Sequence, residues 1–246
     1  MENIIMNKQI DYSVITESPN LNATQEQLER LYQRYHFARQ FAKNKDVLEV
    51  ACGSGIGLGY LARVATKVVG MDIDEKNVEL ARTCYKEDER LRGSEDGRRR
   101  NGKIDIQIMD AHDLNFPAKC FDLVLLFEAI YYLKEPHKLI SEAERVLRDN
   151  GKLIICTVNK DWDDFHPSPY THKYFSVPEL FEILKGKFNE IKMYGGFLVN
   201  KSGIKNTVVS RIKRTNSSKF QSYSWQPENK GIFKKNFYGK TCPFAC

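Results

Sequence analysis

A carboxylate stands four residues ahead of a glycine-rich turn in Glu49-Val-Ala-Cys-Gly53-Ser-Gly55-Ile-Gly57. Glycines let a backbone turn sharply and approach a ligand closely, and a turn that opens a helix presents free N–H groups. A dinucleotide site needs glycines in a G-x-G-x-x-G array, but the sixth position counted from Gly53 is Leu58, so nicotinamide spacing fails. For the glycines alone, a tight turn without chemistry is the plain alternative. Further on, Glu128 interrupts the apolar run FDLVLLFEAIYYL, and an acid buried there without purpose would be costly. It can contact a cofactor or an acceptor. Tyr131 and Tyr132 follow and can shape a pocket, with simple packing the other reading for at least one of them. Residues 159–175 (NKDWDDFHPSPYTHKYF) form a long connection carrying Asp163, Asp164, His166, Tyr170 and His172, and long connections in compact domains are usually functional. Either histidine could act as a base. The candidate catalytic residues are thus Glu128, His166, His172 and Tyr131, and the candidate acceptor contacts are Tyr132, Asp163 and Tyr170. His36 and His137 read as helix-surface residues, and His112 as a bystander.

These residues need a frame that gathers them. DVLEVA (46–51), KVVGMDID (67–74), IDIQIMDA (104–111), FDLVLLF (121–127) and KLIICTVN (152–159) read as strands, most of them nearly continuous apolar runs. Between and around them lie helical patterns at 24–43, 58–65, 75–87, 136–149 and 177–188, the first opened by Thr24 with Gln27 at the capping-box position and the fourth closed by Asn150-Gly151. EIKMYGGF (190–197) and TVVSRIKR (207–214) close the pattern, joined by about ten residues, too few for a helical crossover, so one should run antiparallel. The expected fold is α/β: a doubly wound, Rossmann-like, mostly parallel seven-stranded sheet with helices on both faces and an antiparallel last strand. Ligands of such sheets bind outside the carboxyl ends of the strands.

The turn and its acid resemble motif I of the class I S-adenosylmethionine-dependent methyltransferases. A sulfonium cofactor carries an α-amino group and no phosphate, so an acid at the strand end suits it, whereas it would repel a pyrophosphate. Other elements follow in the family's order. Asp72 ends the second strand, where the resemblance implies a carboxylate accepting the ribose hydroxyls, with Asp74 its nearest rival. Asp110-Ala111 ends the third, where the family meets the adenine, and FDLVLLFEAIYYL resembles the motif that faces the transferable methyl. The implied cofactor contacts are Glu49, Ala51, Gly53, Gly55, Gly57, Asp72, Ile73, Asp110, Ala111 and Phe127, the cofactor S-adenosyl-L-methionine with S-adenosyl-L-homocysteine as product, and no metal. The resemblance spans about residues 30–213. It places a methyltransferase domain at 1–213, with an N-terminal helical lid at 1–45 (Tyr12, Arg34 and Tyr35 its candidate contacts), a charged insertion at 86–103 and a substrate loop at 159–175. The PSPYTHKYFSVPEL stretch is similar to small-molecule methyltransferases linked to surface sugars, which suggests O- or N-methylation of a small polar acceptor, a sugar or nucleotide sugar foremost.

The chain has 246 residues, 41% apolar and 28% charged, enough for one sizeable core. No apolar run is long enough to span a bilayer and the N-terminus shows no secretory signal, so the expected location is the cytoplasm. Six scattered cysteines are then expected as free thiols, and the Cys242–Cys246 pair lacks the further ligands a structural zinc needs. The net charge of +6 is local: from Arg211 onward eight basic side chains face one acid, while residues 1–210 carry 30 basic and 31 acidic ones. A near-neutral body argues against a nucleic-acid groove. The basic, aromatic tail at 214–246 keeps two alternatives open, a nucleic-acid acceptor or peripheral contact with a membrane and a lipid-linked acceptor. A third is a module that binds S-adenosylmethionine without turnover. A monomer or a homodimer is expected.

Overall fold

The computed structural model describes residues 11–12, 16–17, 24–87, 104–162 and 165–196, with the backbone of 223–224. Five strands form one sheet: β1 (Asp46–Val50), β2 (Lys67–Asp72), β3 (Ile104–Ile108), β4 (Phe121–Phe127) and β5 (Leu147–Cys156), in the order β3-β2-β1-β4-β5. Every pairing is parallel, with Val47 beside Val68 and Leu123, and Leu48 beside Val69 and Val124. The helices are α1 (Gln25–Ala42), α2 (Leu58–Ala62), α3 (Glu75–Glu87), α4 (Pro136–Val146) and α5 (Val177–Leu184), with a 3₁₀ turn at Ile130–Tyr132.

Two-residue alternation sorts the strands onto two cores. Val47, Val68, Ile106, Leu123 and Leu125 pack with α1 and α2 on one face. Leu48, Val50, Val69, Met71, Val124 and Leu126 pack with α4 and α5 on the other. The doubly wound expectation therefore holds, but the seven-stranded sheet does not. Among the described residues the sheet has five strands and none antiparallel; β6 (Tyr194–Gly195) pairs with β7 (Tyr223–Ser224), in parallel, in a separate two-stranded sheet. The expected strand at 207–214, residues 88–103 of the charged insertion and most of the tail lie outside the described residues.

The helix expected to run to Asp149 stops at Val146, and β5 starts at the next residue. Asn150 does adopt the left-handed conformation the Asn-Gly pair signalled (φ 64°). It serves an irregularity in β5, where the register moves from Phe121↔Leu147 to Leu123↔Lys152, rather than a helix cap. At α1 the reading holds in detail: Thr24 accepts from the Gln27 N–H, and the Gln27 side chain accepts from the Thr24 N–H. The free-thiol expectation holds for Cys52, Cys120 and Cys156 but not for Cys84, which is disulfide-bonded. No described helix is long and apolar enough to cross a membrane.

Gly57 shows how α1 is seated. A Cβ there would lie 1.9 Å from the Tyr35 ring, so only glycine lets that ring rest against the start of α2. Gly57→Ala is expected to cost about 1–3 kcal/mol through overpacking, read as a thermal midpoint lower by ~2–4 °C per kcal/mol. An unchanged midpoint would mean that the ring is not held there.

Candidate functional site

The carboxyl ends of the strands open into a cleft of about 2190 Å³ that continues along β5 toward residues 188–196. Two of these ends turn sharply on residues that are not glycine: Ala51 after β1 (φ 54°) and Glu128 after β4 (φ 51°). Left-handed backbone at non-glycine residues is costly and concentrates at functional sites. Gly53 (φ 55°) and Gly55 (φ 72°) continue the first turn.

Strand alternation directs Glu49 to the α1 face, where the Tyr35 hydroxyl donates to its Oε1 at 2.5 Å. The other oxygen, Oε2, is buried and has no hydrogen-bond partner among the described residues. Burial pushes the Glu49 carboxyl up to about 7, against the opposing pull of the Tyr35 hydrogen bond and the Arg34 charge. Arg34, also on α1, pairs with Glu17, and its charge acts on Glu128 as well as on Glu49.

The two acids at the end of β2 have separate tasks. Asp72 accepts from the Gly53 N–H at 2.8 Å and from the Asp74 N–H at 2.9 Å, which ties the glycine turn to the strand end. Burial raises its carboxyl in spite of these bonds. Asp74 instead caps the start of α3, accepting from the N–H groups of Lys76 and Asn77, and takes the Tyr12 N–H on its other oxygen at 2.9 Å. Ile73 between them is 49% exposed, an apolar side chain left on the cleft wall.

At the end of β3, Asp110 accepts from the His112 N–H at 2.8 Å and from its ring Nδ1 at 2.6 Å. His112 Nε2 accepts from the Glu135 N–H at 3.3 Å, so Nδ1 carries the ring proton. Partial burial works to raise the Asp110 carboxyl, but the bonds from His112 outweigh it and hold it below its ordinary value.

At the end of β4, Glu128 accepts from the Tyr131 hydroxyl at 3.2 Å and from the Cys156 thiol at 3.5 Å, and burial raises its carboxyl. Aromatic rings extend from there: Tyr131 stacks on Tyr174 at 4.5 Å, Phe165 meets Tyr174 at 4.6 Å, and Tyr132 meets Tyr131 at 4.6 Å and Tyr12 at 5.8 Å. The long connection docks on this wall, the His172 N–H donating to the Tyr131 carbonyl at 2.8 Å and the hydroxyls of Tyr132 and Ser168 lying 2.9 Å apart. Arg30 of α1 lies over the Trp162 ring at 5.4 Å and closes the same side.

Of the residues singled out by sequence, Glu49, Ala51, Gly53, Asp72, Ile73, Asp110, Ala111, Phe127, Glu128, Tyr131, Tyr132 and His172 line the cleft. Gly55 and Gly57 are not on its wall; they shape the turn beneath it. His166 and Tyr170 are exposed and off the wall, and Asp163 and Asp164 lie outside the described residues. Three supports escaped the sequence reading. His112 fixes Asp110 rather than standing by. Tyr85 of α3 donates to the Gly55 carbonyl at 2.6 Å and accepts from the Gly59 N–H at 2.8 Å, bracing the glycine turn. Arg145 donates to the carbonyls of Leu114 and Phe116 at 2.6 and 2.7 Å, steadying the loop beyond Asp110. The Asp110–His112 spacing, in which an Asp oxygen takes the N–H two residues on, was the one local signal available.

Residues 48–155 match the family described as a methyltransferase domain. A Mycolicibacterium smegmatis protein named "probable S-adenosylmethionine-dependent methyltransferase" is 30% identical over 145 residues, 57% of this chain and 50% of that protein. A ubiquinone biosynthesis O-methyltransferase of Coxiella burnetii is 27% identical over 120 residues, 49% of this chain and 46% of that protein. The chain spans about half the length of these curated relatives. Among solved structures, an S-adenosylmethionine-dependent methyltransferase from Aquifex aeolicus aligns with a TM-score of 0.52 at 21% identity, over 67% of this chain and 82% of that one. The cyclase SpnF aligns with a TM-score of 0.54 at 24% identity, over 70% and 60%. At these identities the likeness is one of fold.

Proposed function

We propose, from the premise that residues 48–155 of this chain belong to the class I S-adenosylmethionine-dependent methyltransferases, that it transfers a methyl group from S-adenosylmethionine to an oxygen or nitrogen of a small polar acceptor. A sugar or nucleotide sugar is the foremost acceptor class. The observation that carries the reading is Glu49: a buried carboxylate beside a glycine turn, with one oxygen unpartnered, fits an ammonium group and would repel a phosphate. The residues therefore fit a sulfonium amino-acid nucleoside.

Glu49 would hold its α-ammonium, Arg34 its carboxylate, Asp72 its ribose hydroxyls, and Ile73 with Asp110 and Ala111 its adenine. The bound cofactor supplies a methyl group already activated by a positive sulfur, so the chain's main task is to hold the acceptor in line. Glu128, at the end of β4, takes the proton of an acceptor hydroxyl; Tyr131 and Cys156 keep its carboxylate oriented. His172 is the second candidate base on the cleft wall. A phenolic or quinone-like acceptor is the second reading, favoured by the aromatic wall of Tyr131, Tyr132, Tyr174 and Phe165 and by the name of the Coxiella burnetii relative.

The test supplies methyl-labelled S-adenosylmethionine with host-cell extract and counts label in metabolites, glycans, lipids, protein and nucleic acid, with Asp72→Asn as control. Asp72→Asn keeps the side-chain shape and is expected to weaken cofactor binding by about 1–3 kcal/mol through lost charged hydrogen bonds. Label in metabolites or glycans that the control loses supports the leading reading. Label in a lipid-quinone fraction supports the second. Label in nucleic acid would overturn both.

A further inference from the structure

We infer that Tyr35 is a positioning residue for the cofactor, and that its hydroxyl holds one oxygen of Glu49 so that the other stays available as an anion for the cofactor's ammonium group. The inference rests on the reading of Glu49 given above.

The geometry around Tyr35 is over-determined. The side chain is 2% exposed, its hydroxyl donates to Glu49 Oε1 at 2.5 Å, its ring occupies the space a Cβ on Gly57 would need, and the same ring meets the Phe127 edge at 5.2 Å. These contacts come from three elements: β1 through Glu49, the head of α2 through Gly57, and the end of β4 through Phe127. The ring is therefore fixed before its hydroxyl is considered, and from that position the hydroxyl reaches Glu49. Among the described residues, the charged and titratable groups that act on Glu49 are Tyr35 and Arg34 from α1, Glu17 from the segment before it, and Cys52 from the turn after β1. Of these, Tyr35 donates a hydrogen bond directly to the carboxylate, Arg34 acts through its charge, and Glu17 opposes ionisation.

A hydrogen bond to an ionised group stabilises that form, and burial opposes it, so the Tyr35 hydroxyl and the Arg34 charge together set the pH at which Glu49 becomes an anion. Removing the hydroxyl while keeping the ring should move that pH upward by on the order of one unit. Cofactor affinity should follow, because a neutral Glu49 no longer attracts an ammonium. Helix α1 thereby acts on the cofactor without its Tyr35 touching it.

The experiment measures S-adenosylhomocysteine affinity of the full chain by calorimetry from pH 5.5 to 9 in the parent, Tyr35→Phe, Glu49→Gln and the double variant. The expected result is a Tyr35→Phe affinity about tenfold below the parent under pH 7, converging on it by about pH 9, since one pH unit of titration is a factor of ten. In the Glu49→Gln background Tyr35→Phe should change nothing that depends on pH. The ratio of two affinities at each pH cancels the ligand's own titration. A Tyr35→Phe deficit that is constant with pH, or equal in both backgrounds, would reduce Tyr35 to packing and overturn the inference while leaving Glu49 in place. A Glu49→Gln variant that binds like the parent at every pH would remove the premise itself, and with it the proposed ammonium site.

Discussion

Glu49→Gln is expected to give a protein that holds its fold better than the parent at neutral pH and binds the cofactor worse. Burial pushes the Glu49 carboxyl from its ordinary 4.5 up to about 7. As pH rises through that window the unfolded chain releases this proton first and the native state retains it. The native state then binds more protons, and stability declines with pH until about 7, after which the contribution is flat. At ~1.36 kcal/mol per pH unit the decline assigned to this one group is about 3 kcal/mol. A glutamine carries no such proton and contributes no slope. Urea unfolding of parent and variant between pH 4.5 and 8 should therefore diverge by about that amount. Parallel curves would show that Glu49 does not become a buried anion. Cofactor affinity at pH 8 should move the opposite way, falling roughly 10- to 150-fold with the loss of a charged hydrogen bond. Stability given up at a site in return for binding is the usual sign of a functional charge.

That opposition also separates what was legible in the sequence from what was not. The strands β1, β2 and β4 were legible because their side chains are buried on both faces and leave continuous apolar runs, and α1 because its capping box is local. Glu49 stood out by its place four residues ahead of the first glycine of the turn, and Glu128 as an acid inside an apolar run. The end of α4 was misread since Asn150-Gly151 signals a left-handed residue equally well for a helix end and for a bend in a strand; only pairing with Phe121 and Leu123 decides between them. Asp72 and Asp74 are two residues apart and alike in type. Their division of labour depends on which N–H groups converge on each, Gly53 on one and the first turn of α3 on the other. His112 had only the two-residue spacing from Asp110 as a signal, while Tyr85 and Arg145 carry no motif, because each acts on the backbone of a segment distant in the chain. Supports of this kind are written in three dimensions only.

Glu128→Gln is expected to leave cofactor affinity within a few-fold of the parent's and to lower kcat by roughly 10²–10⁴, the usual contribution of a general base. The substitution keeps the side chain's size and leaves one oxygen to accept from Tyr131 or Cys156, so loss of fold is not the expected cause. The pH profile distinguishes the role. A base works as the carboxylate, and burial raises Glu128 above the ordinary carboxylate value, so parental kcat should fall as pH drops through that raised value. In Glu128→Gln that acid limb should disappear and the residual rate should be flat. Tyr131→Phe removes the 3.2 Å hydrogen bond that favours the ionised form, so it should move the limb upward without abolishing the rate. A rate that survives Glu128→Gln with its acid limb intact would transfer the proton to His172, the other candidate base on the cleft wall. A surviving rate with no limb would instead mean an acceptor amine that attacks already neutral, which narrows the acceptor class by chemistry that the fold by itself does not encode.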